Sequence, residues 1–266
     1  MLGSQFAAVQ LAPWIVVPLF ALSIALWAIT QYGFLAGVSE GGAKPPLEQG
    51  LSGQWLLLVV ATQAVASLGA EVLKQTGPAA TGLTFICFAW VLLGGIYYVL
   101  LGSVVLYRFA FVSMPPEDVT GPWWINAGSA AITTLAAARL MMVSGLRIGG
   151  FALRDLLAPV VVAFWADATF WIPLLVLLSL WKHLMRDRGL RYSVSLWSVV
   201  FPLGMYCAAT LALAQAFQLP FLHVLARVFF WIAFLAWCAT LTAALPTVWR
   251  ALDWSGREQG AWPDGA

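Results

Sequence analysis

Seven stretches of this chain are each long and apolar enough to cross a lipid bilayer, and that feature constrains it more than any other. They run approximately over residues 14–36, 54–73, 82–112, 123–143, 157–184, 194–217 and 221–249. Crossing roughly 30 Å of hydrocarbon at about 1.5 Å per residue takes about 20 apolar residues in a helix. Hydrocarbon offers the backbone no hydrogen-bond partners, so each span must satisfy its own N–H and C=O groups as a helix. The runs are continuously apolar and lack the alternation of barrel strands. The predicted fold class is therefore all-α, a polytopic transmembrane helical bundle. Composition agrees: 62% of residues are hydrophobic and 9% are Asp, Glu, Lys or Arg, where a soluble domain carries about 25% charged residues. That balance excludes a soluble enzyme and a disordered chain. A net charge of +2, scattered along the sequence, excludes a nucleic-acid binder.

Tryptophan marks the ends of the runs. Trp14, Trp55, Trp123, Trp124, Trp181, Trp197 and Trp249 all fall near run edges, where an amphipathic ring sits at the headgroup level. Turn chemistry separates the runs. Gly41, Gly42, Pro45 and Pro46 occupy the first connection; Pro115, Pro116 and Pro122 bracket another, stopping one helix and starting the next. The segment MRDRGLRYS at 185–193 is the most charged. Residues 1–252 read as a single transmembrane domain, and 253–266 as a short polar tail. Lys44, Arg108, Lys182, Arg186, Arg188, Arg191, Arg250 and Arg257 fall on one side of the membrane. Lys74, Arg139, Arg147, Arg154 and Arg227 fall on the other. The excess of basic residues on the first side predicts a cytoplasmic C-terminus. Seven spans then put the N-terminus outside. Residues 1–13 carry no basic region or cleavage pattern, which points to further sequence upstream of Met1.

The spans carry little chemistry. Cys87, Cys207 and Cys238 lie inside apolar runs, without a CxxC or a neighbouring His, and read as core residues. No HExxH, GxSxG or Asp-rich pair occurs, so neither an enzyme nor a cofactor or metal site is expected. Two ionisable residues are singled out within the spans. Asp167 lies in the fifth, where a membrane carboxylate is costly, and it would be protonated or would meet Arg227 or a polar neighbour. Arg227 lies near the start of the seventh and can snorkel to the interface.

Spans two, four and six share a pattern. They read GQWLLLVVATQAVASLGA, GPWWINAGSAAITTLAAA and SLWSVVFPLGMYCAATLALA. Each opens on Trp and becomes rich in Ala, Gly, Ser and Thr; the other four are bulkier. Small residues let backbones approach closely or leave space where helices converge. The alternation predicts hairpins whose first helices cluster at the centre, or ordinary small-residue packing without a pore. At helical spacing the second span lines up Thr62, Ala66 and Gly69. The fourth lines up Asn126, Ser129, Thr133 and Ala137, and the sixth Phe201, Gly204, Ala208 and Ala212. These are the expected pore-lining residues, with hydroxyls and amides but no charge.

The stretches PWWINAGSAAITTLAA, FWADATFWIPLLVLLSLWKH and LWSVVFPLGMYCAATLALA resemble the tellurite-resistance/C4-dicarboxylate transporter family, which includes the slow, voltage-dependent anion channels. The resemblance extends from about residue 3 to 250. It implies a fold of ten helices in five hairpins around a central pore, a homotrimer, and cytoplasmic termini in an integral protein of the bacterial inner (plasma) membrane. It implies a phenylalanine plug at mid-membrane, which the FP pair assigns to Phe201, with Pro202 beside it. Seven spans where the family has ten imply that three N-terminal helices are missing. GSQF at residues 3–6 resembles the end of the family's third helix.

A hydrophobic constriction gates by excluding water. Pro202 removes one backbone donor, and Gly204 leaves room for the Phe201 ring to swing. A neutral lumen that cannot replace a hydration shell favours weakly hydrated anions, nitrate and chloride over sulfate, with carboxylates as another possibility. The expected activity is transport of small inorganic anions across the lipid bilayer by a channel or uniporter. The alternatives are a proton-linked carrier of C4-dicarboxylates or tellurite-related oxyanions, and a non-transporting membrane assembly subunit.

Overall fold

The computed structural model describes residues 13–42, 44–46, 50–113, 120–185 and 192–255. The GSQF segment, Pro115 and Pro116, the loop arginines Arg186, Arg188 and Arg191, and the tail from 256 with Arg257 lie outside the described residues.

The seven apolar runs become seven helices. We number them α1 (Val16–Glu40), α2 (Leu57–Thr76), α3 (Thr81–Phe111), α4 (Ile125–Met141), α5 (Leu153–Met185), α6 (Trp197–Phe217) and α7 (Pro220–Ser255). Six of them, all but α4, are long and apolar enough to cross a membrane. With 17 residues, α4 spans about 25 Å at ~1.5 Å per residue; a 3₁₀ turn over Gly121–Trp124 extends it. It is less apolar because the bundle, not lipid, surrounds it: every residue of α4 except Arg139 is buried. Between α4 and α5 a two-residue antiparallel ladder pairs Arg147–Ile148 with Phe151–Ala152. Gly149 and Gly150 turn it with positive φ, as a tight hairpin requires.

The helices form two layers. α2, α4 and α6 make an inner row with α4 between the other two. Each pairs with the helix that follows it, giving the hairpins α2–α3, α4–α5 and α6–α7, while α1 packs on α2. Side-chain composition decides the layer. The apolar stretch of α2 is 72% buried, against 11% in α1 and in α7. The outer helices expose Leu26, Ile29, Leu100, Leu106, Phe170, Leu177, Phe230 and Leu235, an apolar surface that only a bilayer or another protein can cover.

The inner helices begin alike. Each starts with a 3₁₀ turn after an extended Ser or Thr: Ser52, Thr120 and Ser193. In each, the residue three positions on donates its N–H to that residue's carbonyl, at 3.0–3.2 Å. The three turns also touch one another in a repeating way. A Cβ on Gly53 would stand 1.9 Å from the Pro122 carbonyl oxygen, and a Cβ on Gly121 would stand 2.0 Å from that of Ser195. In both cases the residue after the extended Ser/Thr meets the second residue after the next one. Glycine is required at both positions because backbone lies directly against backbone.

The layers are then tied by polar contacts. Trp27 of α1 donates to Thr62 of α2 at 2.9 Å, and Trp165 of α5 donates to Thr210 of α6 at 3.0 Å. Gln63 donates to the Val91 carbonyl of α3 at 3.0 Å.

The contact between the turns predicts a sharp contrast among glycine substitutions. Gly53→Ala and Gly121→Ala force backbones apart and should each cost about 1–3 kcal/mol or more, as overpacking does. Gly204→Ala, where a Cβ meets nothing within 4 Å, should be neutral or stabilise by at most about 1 kcal/mol. Thermal unfolding of the detergent-solubilised variants checks the contrast; equal melting points for all three would refute it.

Candidate functional site

The candidate pathway runs along the inner row. On α6 the spacing of Phe201, Gly204 and Ala208 keeps those residues to one face. Gly204 is exposed, and a Cβ there would meet open space; Phe201 and Ala208 are half-buried. The stripe continues through Leu211 and Gln215, both exposed. Ala212 turns into the packed interior instead, at 6% exposure, because at about 100° per residue it falls on the other flank of Phe201 from Gly204, Ala208, Leu211 and Gln215.

Phe201 rests on α4. A Cβ built on Gly128 would come within 2.9 Å of the Phe201 ring and 3.0 Å of the Pro202 ring. The absence of a side chain at Gly128 is therefore what seats both rings against the middle helix. Pro202 is buried and lies inside α6, where its ring leaves one carbonyl of the preceding turn without a backbone donor.

The other two stripes are placed differently. Asn126, Ser129, Thr133 and Ala137 of α4 are all fully buried. Ser129 donates to the Asn126 carbonyl at 2.9 Å and Thr133 to the Ser129 carbonyl at 2.8 Å, so these hydroxyls are satisfied within their own helix. On α2, Thr62, Ala66 and Gly69 are also buried. Thr62 accepts from Trp27 and from Gln31 of α1. Gly69 lies against Cys87 of α3 and Phe20 of α1. That stripe faces the outer layer, while Leu57, Ala61 and Ala64 make the less buried side of α2.

Of the two ionisable residues, Asp167 lies on the α3–α5 seam, half-buried, and accepts a hydrogen bond from the Tyr98 hydroxyl of α3. Trp171 lies beside the pair. Arg227 is exposed on α7 and makes no ion pair with Asp167. At the far end of the inner row, Arg139 of α4 donates to Ser67 of α2 at 2.9 Å. Close by, Lys74 bridges Glu71 at 3.1 Å, and Arg154 donates to the Ala216 carbonyl that ends α6 at 2.8 Å. At the opposite end Arg108, buried, lies 5.4 Å over the Trp123 ring, a cation–π contact. Charge is thus confined to the two ends of the row.

Sequence reasoning did not single out Gly128, Tyr98 or Gly102. Each had a faint signal: a glycine inside a buried small-residue run marks close approach, and an intramembrane acid demands a partner. Which partner it finds is a matter of packing. Among the described residues no group of three or more His, Cys, Asp or Glu could hold a metal.

Comparison with known proteins places this architecture. The family model described as voltage-dependent anion channel matches residues 3–245. An uncharacterized membrane protein of Mycobacterium tuberculosis is 37% identical over 164 residues, covering 62% of this chain and 83% of that protein. Two uncharacterized transporters of Methanocaldococcus jannaschii are each 24% identical, over 156 and 148 residues. Those alignments cover 59% and 56% of this chain but only 44% and 41% of the archaeal proteins. No solved structure matches. An all-helical, membrane-embedded fold and a match over most of its length lead to one assignment: the chain belongs to the voltage-dependent anion channel family.

Proposed function

We propose that this protein passes small, weakly hydrated anions through a pathway along its inner helices, and that Phe201 is the gate. One observation carries the reading: the Phe201 ring sits on Gly128 of the central helix, one turn from the open space at Gly204. A half-buried aromatic ring beside a neutral, small-residue wall narrows a passage and repels water from it. Gly204 provides the volume into which the ring swings when the passage opens. The wall carries no charge, so an anion must shed water there without ionic compensation; chloride and nitrate pay less for that than sulfate. The basic residues at the two ends raise the local anion concentration.

The coupled-carrier reading draws on Asp167, which is held by Tyr98 on the outer seam rather than on the inner face. This position favours an uncoupled channel or uniporter. An assembly of three subunits with cytoplasmic C-termini in a bacterial plasma membrane belongs to the same proposal. A non-transporting assembly subunit is the outcome if no flux is found.

Reconstituted liposomes test the gate. Phe201→Ala should raise chloride flux by about tenfold or more, the change that follows from taking about 1.4 kcal/mol off a barrier. An unchanged flux removes Phe201 as the gate.

Gly128 provides an independent check. Gly128→Ala pushes the ring off its seat and into the passage, and should lower flux in the wild-type background. In the Phe201→Ala background it should have little effect, since residues in contact are non-additive. Additive effects, read from the same chloride assay, would separate the two residues. A dicarboxylate flux that collapses a pH gradient would favour the carrier instead.

A further inference from the structure

The seam where α3, α4 and α5 meet contains polar groups that the pathway does not use. Asn126 is fully buried, and both atoms of its amide, Oδ1 and Nδ2, lack a hydrogen-bond partner. Leaving such groups dry costs about 1–3 kcal/mol each, so an arrangement of this kind calls for an occupant. Oδ1 points toward Gly102 of α3. A Cβ built on Gly102 would lie 3.9 Å from that oxygen and 3.5 and 3.6 Å from Cε1 and Cζ of Tyr98. These are ordinary contact distances, so glycine at position 102 leaves unfilled the space that a single methyl group would occupy between Asn126 and the Tyr98 ring. The Tyr98 hydroxyl, one bond beyond Cζ, donates to Oδ2 of Asp167. Around them Tyr98 is packed edge-on against Phe164 at 5.4 Å, and Trp171 is buried beside the pair.

We infer that this seam is a binding site for one water and one proton: the water fills the notch over Gly102 and bonds to Asn126, and the proton is taken up by Asp167. The placement of each group argues for it. A buried water needs polar partners and room; the Asn126 amide and the Tyr98 hydroxyl supply the first and the missing Gly102 side chain the second. A carboxylate midway along a membrane helix is costly while charged, and among the described residues Asp167 faces no cation that would neutralise it. From α3 it meets Tyr98 and on α5 its neighbour is Trp171, while the polar side chain that α4 brings to the seam is the neutral Asn126. The charged Arg108 lies further along α3, over Trp123. Proton uptake forms one O–H bond on a carboxylate oxygen. Tyr98 keeps its own proton, and nothing is oxidised or reduced. Asn126 sits two residues before Gly128, on the opposite side of α4, so the helix that seats Phe201 also borders this site. The inference does not depend on Phe201 being the gate.

Infrared difference spectroscopy of the whole chain in liposomes, stepped between acid and alkaline buffer, tests it without any transport assay. The expected result is one component of the carboxylic C=O stretching band that appears on acidification and is missing from the difference spectrum of Asp167→Asn. In Tyr98→Phe, which keeps the ring and the packing, the band should remain but move in frequency because its hydrogen bond is gone. A water O–H band that shifts in H₂¹⁸O should be present in the wild type and lost in Gly102→Ala, whose methyl group fits the notch. A carboxylic band in Asp167→Asn identical to that of the wild type, or an ¹⁸O-sensitive water band indifferent to Gly102→Ala, would overturn the site.

Discussion

Backbone-to-backbone contact between the starts of the inner helices is the constraint on which the rest of the bundle depends. Lipid gives helices no hydrophobic reason to associate with one another, because acyl chains are as apolar as leucine. What remains is close packing and hydrogen bonding. Gly53 against Pro122 and Gly121 against Ser195 bring successive inner helices together at the same height and with the same offset. Once those turns are in register, the Ala-rich faces below them meet, and the bulkier partner of each hairpin is left outside. The third repeat has Val194 where the first two have glycine. Val194 is 75% exposed, so at the edge of the described row nothing lies close enough to exclude a side chain.

Much of this was legible in the sequence. The seven apolar runs correspond to seven helices, because length and hydropathy are properties of a segment alone. Tryptophan opened each small-residue run, and those runs became the inner row, because side-chain size decides which helices can crowd together. What could not be read was rotation about each helix axis. The stripe Thr62, Ala66 and Gly69 is regular in spacing, yet it turns toward α1 and α3, where Trp27 and Gln31 donate to Thr62 and Gln31 also donates to the Leu58 carbonyl. On α6 the split between Ala208 and Ala212 depends on a fraction of a turn. The Tyr98–Asp167 pair is 69 residues apart in sequence; the acid announced that it needed a partner, but only packing selected a phenol over Arg227.

The central helix shows how a polar wall can be built cheaply inside a membrane. Ser129, Thr133 and Thr134 return their hydroxyl protons to carbonyls of the preceding turn, so these three side chains add oxygen lone pairs and small volumes without adding an unsatisfied donor. An arginine at mid-span would attract anions more strongly, but it would cost several kcal/mol to bury there and would hold an anion that must leave again. The two arginines nearest the ends of α4 are instead spent on structure, Arg139 on Ser67 and Arg108 on the Trp123 ring.

That economy also explains why glycine, rather than a polar residue, occupies the position facing Phe201. A ring held by van der Waals contact on a flat patch of helix gives up little when it moves, since each atom pair contributes only about 0.1–0.2 kcal/mol. A hydrogen-bonding aromatic at the same position would be anchored: Tyr206, five residues along α6, is tied through its hydroxyl to Thr169 at 2.8 Å and is 1% exposed. Phenylalanine has no such tether. In the proposed pathway, the pair Phe201 and Gly128 combines a bulky obstacle with a weak hold, and those two properties together are what a gate of this kind requires.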